Sequence, residues 1–293
     1  MRRVVAIAQP DTEEAIAFVA AFDGVEGVDV ELIETTGEEE VHEVVGRLVD
    51  EGVATIASVG GDGALNLIIG GLRDAGEAGR RVAVVPVRAG TVNLVSKTLG
   101  LDDLDTTVEA IVADRTREID VAESERGVFV LNSSTGYDAA VIGDAADHSD
   151  AALGQARFAI EGIKRLRHDH PTHVRVTCDG EVTYDGPAMS VVTMNIGERA
   201  SKGFSVAPDA ELDDGVLDVA VIKAESLRRF LGVIVKLALR RDVERRNLVR
   251  ARGAEIEIEW AGEVASQRDG DADDPVTSLS VRTHHRALRV HTA

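Results

Sequence analysis

The sequence is poor in cysteine, lysine and aromatic side chains. Its 293 residues include one cysteine, Cys178, five lysines and 3% aromatic residues. One cysteine excludes an internal disulfide and a cysteine-based metal site, and its strand-like neighbours at 174–177 favour a buried apolar role over a nucleophile. No apolar run approaches the roughly 18 residues of a membrane span, and the one at residues 4–8 is too short for a secretory signal. We therefore expect a cytoplasmic protein without a transmembrane segment.

Basic residues are outnumbered. The chain has 32 lysines and arginines against 52 acidic residues, a formal net charge of -20. A surface of this sign repels phosphates, so nucleic acid is an unexpected partner. Surface carboxylates also repel one another, and salt screens that repulsion. Together with the low lysine content, this favours a halophilic protein working in high salt, with a mesophilic protein that happens to be acidic as the alternative.

The chain has two parts of different pattern. Up to about residue 115, strand patterns at residues 4–8, 28–33, 55–59 and 81–86 alternate with helical ones, which predicts a parallel sheet covered on both faces. Strand patterns then dominate, and the strict alternation at 255–260 predicts a half-exposed antiparallel strand. Helices are predicted at 152–167 and 227–240, and His284-His285 is interpreted as a loop. We predict an α/β N-terminal domain followed by a mainly antiparallel β C-terminal domain.

A glycine-rich turn, Gly60-Gly61-Asp62-Gly63, joins the third predicted strand to a helical pattern at 64–75. Glycines let the backbone approach a phosphate closely and leave its amides free to donate. A carboxylate here would repel a phosphate unless a metal ion lay between them, so Asp62 indicates a Mg²⁺–nucleotide site. A glycine-rich connection without a ligand is the alternative for this tetrapeptide alone.

Five segments, in order, resemble the diacylglycerol kinase catalytic family. They are Gly60-Gly61-Asp62-Gly63-Ala64-Leu65-Asn66; Pro86 with Gly90-Thr91-Val92-Asn93 and Leu99-Gly100; Asn132 with Gly136-Tyr137-Asp138-Ala139; residues 207–218; and Asp269-Gly270-Asp271, at the place of the family's D-G-E. The resemblance covers nearly the whole chain. It implies an NAD kinase/diacylglycerol kinase-like fold, with a nucleotide-binding domain at 1–120 plus a C-terminal strand at 285–293, a β-rich lipid domain at 121–284, and an active site between them.

The resemblance also implies ligands for ATP and Mg²⁺. The residues expected at the nucleotide are Thr35, Gly60, Gly61, Gly63, Ala64, Asn66, Thr91 and Asn93. Asp62 would act through Mg²⁺ and is counted among the catalytic residues. Thr36 could fill the place of Thr35.

Phosphoryl transfer to a hydroxyl also needs a carboxylate that accepts the proton. Asp269 and Asp271 occupy the acidic positions of D-G-E, so the resemblance implies that one of them is the base, with a polar hairpin turn as the alternative. Glu211, Asp214 and the carbonyl of Val216 correspond to a second, structural Mg²⁺ site in bacterial lipid kinases. An acidic turn before a strand is the alternative there.

A basic segment, residues 226–252, stands out in the acidic chain. Its arginines flank an apolar stretch at 230–239, which suits docking at an anionic lipid surface. A buried helix whose basic ends pair with acidic groups explains the same pattern. The sequence leaves open whether the chain forms a homodimer.

Several residues depart from the family pattern. Ala64 replaces a threonine, Leu67 a glutamate and Leu94 an aspartate, while Asp271 is one methylene shorter than the family's glutamate. The sequence predicts an ATP-dependent lipid kinase that transfers the γ-phosphate to a hydroxyl of a diacylglycerol-like or dialkylglycerol lipid. The alternatives are a non-catalytic nucleotide- or lipid-binding relative, which these departures favour, and an NAD kinase-type enzyme.

Overall fold

The computed structural model describes residues 1–90, 93–140, 170–196, 211–223, 233 and 247–293. They form two compact units. Unit 1 comprises residues 1–121 and 285–293, and unit 2 comprises residues 122–284. The boundaries fall within two strands, β5 (Thr116–Ser124) and β14 (Asp271–His291).

Unit 1 is built on a parallel sheet. Its other strands are β1 (Arg2–Ala8), β2 (Val28–Glu34), β3 (Thr55–Gly60) and β4 (Ala83–Arg88). Its helices are α1 (Glu13–Ala20), α2 (Glu38–Asp50), α3 (Asp62–Asp74), α4 (Gly76–Gly79), α5 (Leu94–Thr98) and α6 (Leu104–Val112). The strand order is β2–β1–β3–β4, and the end of β14 adds a parallel pairing to β4. Continuously buried β1, β3 and β4 are typical of strands covered on both faces.

The glycine-rich motif spans the N-terminus of helix α3. Helix α3 begins at Asp62 rather than at residue 64 as the sequence predicts. Gly61 is extended, with φ −85° and ψ −176°, and the aspartate that follows is favoured in a first helical turn by the helix dipole. Strand β4 likewise lies two residues later than predicted, because the residues before Ala83 complete the turn from α4.

Unit 2 is antiparallel, which confirms the predicted fold class. Its remaining strands are β6 (Gly127–Phe129), β7 (Asn132–Gly136), β8 (Thr172–Cys178), β9 (Glu181–Ala188), β10 (Ser190–Met194), β11 (Leu217–Ile222), β12 (Leu248–Gly253) and β13 (Glu255–Arg268). Strands β12–β11–β10–β7–β13 pair in that order. Strand β13 also pairs with β14 and β8, and β8 pairs with β9.

The core of unit 2 follows the predicted alternation. Ile256, Ile258 and Trp260 on β13 are buried against a cluster that includes Val176 and Cys178, while the glutamates between them are exposed. Burial raises the pKa of the Cys178 thiol, in keeping with its predicted apolar role.

One strand was missed, and one loop prediction is wrong. Strand β12 is absent from the sequence interpretation because its outward-facing arginines were assigned to the basic segment. His284-His285 lies within β14 rather than in a loop, where His284 Nε2 is 2.6 Å from Glu123 and His285 Nδ1 is 3.0 Å from Asp120. These pairings hold polar residues in the strand.

Other predicted features lie outside the described residues. They are the helices at 152–167 and 227–240, Thr91, residues 207–210, and most of the basic segment before residue 247. Within the described part of the chain, none of the helices combines the length and apolar character needed to cross a bilayer.

Candidate functional site

Two predicted nucleotide turns touch through their backbones in unit 1. A Cβ built on Gly90, after β4, would lie 2.8 Å from the Cα of Gly61, after β3. Real Cβ atoms essentially never come this close to a heavy atom, so position 90 requires glycine. The amide of Ala89 also donates to the carbonyl of Gly60, at 3.4 Å. The structure thus brings together segments about 30 residues apart in sequence.

Asp62 connects the two turns by hydrogen bonds. Its Oδ2 accepts from the amide of Leu94 at 3.1 Å, and its Oδ1 accepts from the amide of Val95 at 3.3 Å. Asn93 precedes them in a left-handed conformation, with φ 49°. Its Oδ1 accepts from the amide of Gly90 at 3.0 Å, and its Nδ2 donates to the carbonyl of Gly90. Asp62 therefore orients the start of α5, and Asn93 fixes the second turn.

Helix α3 presents an uncapped N-terminus. The N-cap residue, Gly61, has no side chain with which to cap it. The amides of the first turn, including those of Gly63 and Ala64, have no partner within the helix. Such a terminus attracts an anion through its free amides and the helix dipole. The local geometry therefore fits a phosphate group.

The close packing at this terminus explains a second glycine. A Cβ on Gly60 would lie 2.8 Å from that of Ala64, which is exposed. Asn66 lies further along the first turns of α3 and is half-buried. The four residues Gly60, Gly61, Gly63 and Ala64 thus share one strand-to-helix junction.

The two threonines after β2 have different surroundings. Thr35 is buried, and its amide donates to the carbonyl of Ala8 at 2.9 Å, which extends the pairing of β1 and β2. Thr36 is exposed, and its amide and hydroxyl donate to Oε2 of Glu40 at 2.7 and 3.0 Å. Thr36 thus stabilises the start of α2.

A cavity of about 380 Å³ adjoins the second turn within unit 1. Its lining includes Gly90 and Asn93, with Arg88 from β4, Glu14 from α1 and Thr107 from α6. The sequence interpretation missed this space because its walls come from separate elements. The lining also contains the apolar side chains of Ala17, Val87 and Leu104, so the cavity is of mixed polarity.

A tight hairpin turn in unit 2 contains Asp269 and ends at Asp271. Arg268 pairs with Asp271, so Asp269 and Gly270 form a two-residue connection between β13 and β14. Their φ values of 49° and 95° are both positive, as a type I′ turn requires, and Asp-Gly is a preferred pair for it. Asp271 is exposed at the start of β14.

The Asp269 carboxylate accepts hydrogen bonds from three backbone amides. Its Oδ1 accepts from Leu131 at 2.9 Å and from Asn132 at 2.8 Å, and its Oδ2 accepts from Val130 at 2.9 Å. The Asp269 amide donates to the carbonyl of Asn132 at 2.8 Å. Since a carboxylate offers about four lone pairs, these three hydrogen bonds use most of its capacity to accept protons or hydrogen bonds. Asp269 holds the connection between β6 and β7.

Gln267 is a buried support that the sequence interpretation missed. It is 1% exposed. Its Nε2 donates to Oδ1 of Asn132 at 2.8 Å and to Oγ of Ser134 at 2.7 Å, while its Oε1 accepts from the amide of Gly270 at 2.9 Å. Gln267 thereby connects Asn132, which matches an asparagine of the family pattern, to the turn that carries both aspartates. A polar side chain near the end of an apolar alternation is the only sequence signal for it.

Arg268 brings positive charge to the same turn. It donates to Asp273 through Nε at 2.7 Å and Nη2 at 2.8 Å. Hydrogen bonding to Asp273 raises the pKa of Arg268 against the effect of burial, and the charges of Asp269 and Asp271 add to the rise. The arginine therefore stays protonated and partly offsets the acidic turn.

The residues predicted to bind a structural Mg²⁺ ion, Glu211, Asp214 and Val216, have other surroundings. Asp214 Oδ1 accepts from the amide of Val216 at 3.1 Å, and its Oδ2 accepts from Nη2 of Arg252. Glu211 is exposed. Over the described ranges, no three or more His, Cys, Asp or Glu side chains are grouped so as to hold a metal ion.

Comparisons with known proteins agree with the architecture. Residues 10–124 match the family model "Diacylglycerol kinase catalytic domain". Residues 132–292, more than half of the chain, match "YegS C-terminal NAD kinase beta sandwich-like domain". The chain belongs to the YegS-like diacylglycerol kinase family. It is thus a kinase of the lipid kinase class, a phosphotransferase.

The family contains similar proteins of comparable length. "Probable lipid kinase YegS-like" from Pseudomonas aeruginosa is 26% identical over 286 residues, covering 97% of this chain and 91% of the relative. "Diacylglycerol kinase" from Bacillus subtilis is 23% identical, covering 74% of this chain and 70% of the relative. A diacylglycerol kinase crystal structure from Bacillus anthracis superposes with a TM-score of 0.71 at 18% identity, covering 100% of this chain and 97% of the other, and supports the fold.

Proposed function

We propose that this family member is an ATP-dependent kinase that phosphorylates a hydroxyl of a diacylglycerol-like or dialkylglycerol lipid. The observation that carries the proposal is the backbone contact between Gly61 and Gly90 beside the uncapped N-terminus of α3. That arrangement offers amides to a phosphate where the family resemblance expects the nucleotide. The name of the Pseudomonas aeruginosa relative supports a lipid acceptor, and that of the Bacillus subtilis relative supports a diacylglycerol.

The phosphates of ATP would bind at the first turn of α3. The amides of Gly63 and Ala64 would donate to them, and Asp62 would hold Mg²⁺ through the lone pairs that Leu94 and Val95 leave unused. Mg²⁺, when bound, neutralises phosphate charge during transfer. Thr35, Thr91 and Asn66 complete the proposed nucleotide ligands.

Two departures from the family pattern are compatible with this site. Ala64 lacks a hydroxyl, but its backbone amide belongs to the free first turn of α3. Leu94 lacks a carboxylate, but its amide contacts Asp62 and so keeps the two turns connected. Both contributions come from the backbone and do not depend on these two side chains, so an active kinase is compatible with the site.

The general base is assigned to Asp271. The three amides bound to Asp269 leave it little capacity to accept a proton. Asp271 is exposed on the same turn, and in this proposal the acceptor hydroxyl approaches its carboxylate. In this assignment Asp269 orients the turn and Asp271 takes the proton from the lipid hydroxyl.

The basic segment 226–252 is proposed to face an anionic lipid surface. Its arginines other than Arg252, which pairs with Asp214 and Asp218, would attract anionic head groups, and the attraction would weaken with salt. Co-sedimentation with phosphatidylglycerol vesicles, absent with phosphatidylcholine vesicles, would support the proposal. Equal binding to both vesicle types would contradict it.

The acceptor is tested by a transfer assay. Labelled ATP and Mg²⁺ are supplied in molar salt with diacylglycerol, dialkylglycerol, a sphingoid base or NAD. We expect wild type to transfer label to diacylglycerol or dialkylglycerol and Asp62→Asn to lose this transfer. Asp50→Asn, at the exposed aspartate that ends α2, is the matched control and should retain it. Transfer to NAD alone would indicate an NAD kinase, and ATP binding without transfer to any acceptor would indicate a binding protein.

A further inference from the structure

We propose that the guanidinium of Arg252 is the resident cation of the acidic turn at 211–218, in place of the structural Mg²⁺ that the family resemblance implies. The turn leads into β11 and carries Glu211, Asp213 and Asp214, with Asp218 on the strand. The inference concerns stability and is independent of the proposed function.

Strand pairing fixes the position of the arginine. Arg252 on β12 lies directly opposite Asp218 on β11 in the antiparallel register. Its Nε donates to Oδ2 of Asp218 at 3.2 Å, and its Nη2 donates to Oδ2 of Asp214. One guanidinium thus bridges two carboxylates, a geometry to which its planar array of donors is suited.

The two carboxylates need a cation because they are mostly removed from solvent. The side chains of Asp214 and Asp218 are 22% and 13% exposed, against 47% for Arg252. Burial lowers the pKa of Arg252, but Asp218 and Asp214 raise it further, so the net direction is upward. The arginine is therefore a permanent positive charge that no chelator can remove.

A metal ion would compete with this arrangement. Mg²⁺ prefers six oxygen ligands in near-octahedral geometry. Asp214 has one oxygen on the amide of Val216 and the other on Arg252. Placing a divalent cation on Asp214 would bring it against the guanidinium, and like charges repel. The residues present therefore fit an arginine-neutralised turn better than a metal site.

Thermal unfolding followed by Trp260 fluorescence tests the proposal. Wild type, Arg252→Gln and Arg252→Lys are compared in EDTA and in millimolar MgCl₂ at matched ionic strength. We expect wild type and Arg252→Lys to show no Mg²⁺-dependent change attributable to Asp214. We expect Arg252→Gln to melt lower in EDTA, by on the order of 5 °C, and to recover saturably with Mg²⁺.

The double variant Arg252→Gln/Asp214→Asn assigns the response to this turn. It should lose the recovery with Mg²⁺, whereas a response from another site would persist. Two results would overturn the proposal. One is a Mg²⁺-dependent rise in the wild-type melting temperature that Asp214→Asn abolishes, and the other is no effect of Mg²⁺ on Arg252→Gln. The first can be measured even if Arg252→Gln does not fold.

Discussion

Substituting Asp269 by asparagine should destabilise unit 2 without removing the proposed base. The asparagine oxygen can still accept from Leu131 and Asn132, but its NH₂ group would face the amide of Val130, a donor against a donor. Asparagine tolerates the left-handed backbone at this position, where φ is 49°. The substitution therefore isolates the hydrogen bonds from backbone strain.

The magnitude follows from those bonds. A buried donor that loses its acceptor costs about 1–3 kcal/mol, and each bond that loses a charged acceptor weakens by about 1 kcal/mol. The three amides are part-buried, so water recovers some of the loss. We expect a fall of about 2–4 kcal/mol in the free energy of unfolding of unit 2.

The assay is urea denaturation followed by the single tryptophan. Trp260 is buried, and its indole donates to Oγ1 of Thr135 on β7, the strand that follows the loop held by Asp269. Asp271→Asn is the matched control, since an exposed substitution should change stability by less than about 0.5 kcal/mol. Wild-type stability of Asp269→Asn, or equal destabilisation by both variants, would refute the reasoning.

Three further predictions concern pH, salt and the support of the turn. His291 is fully buried, its Nε2 lies 3.0 Å from Oγ1 of Thr55, and burial lowers its pKa from 6.5 to about 4. Because the unfolded state binds a proton more readily, the free energy of unfolding should fall as the pH falls from 6.5 towards 4, by up to about 3 kcal/mol. Denaturation of His291→Asn should show a smaller loss over this range, and an equal loss would contradict the assignment. With a net charge of -20, the melting temperature should rise from low to molar KCl, and a flat response would argue against salt adaptation. Gln267→Met removes three hydrogen bonds while keeping a similar side-chain volume. Lipid phosphorylation should fall at least tenfold while ATP affinity stays unchanged, and reduced ATP affinity would contradict the role of Gln267 as a support of the turn.

Much of the fold could be predicted from local pattern. The apolar runs of β1 and β3 indicate strands buried on both faces, and the alternation at 255–260 indicates the half-exposed part of β13. These signals are short-range, because each depends on which residues face a core. Strand β12 gave a conflicting signal, since its arginines alternate towards solvent but stand in a basic segment.

The contacts of the candidate site could not be predicted in this way. Nothing near Gly90 in the sequence shows that its Cα faces Gly61. Nor does the local sequence show that Asp62 accepts amides from α5, or that Asp269 accepts three amides about 138 residues away. Motif order indicated which residues matter, but the amide contacts that set Asp269 apart depend on tertiary packing.

The most direct test measures ATP binding and phosphate transfer in wild type and three variants. ATP binding is measured by calorimetry, and transfer is measured with labelled ATP and diacylglycerol. Asp271→Asn should bind ATP as wild type does but lose transfer. Gly90→Ala should lose both ATP binding and transfer, because its Cβ would push the two turns apart. Gly46→Ala, on α2 with no atom within 4 Å of the added carbon, is the control and should retain both. Wild-type transfer by Asp271→Asn, or wild-type ATP binding by Gly90→Ala, would contradict the proposed site.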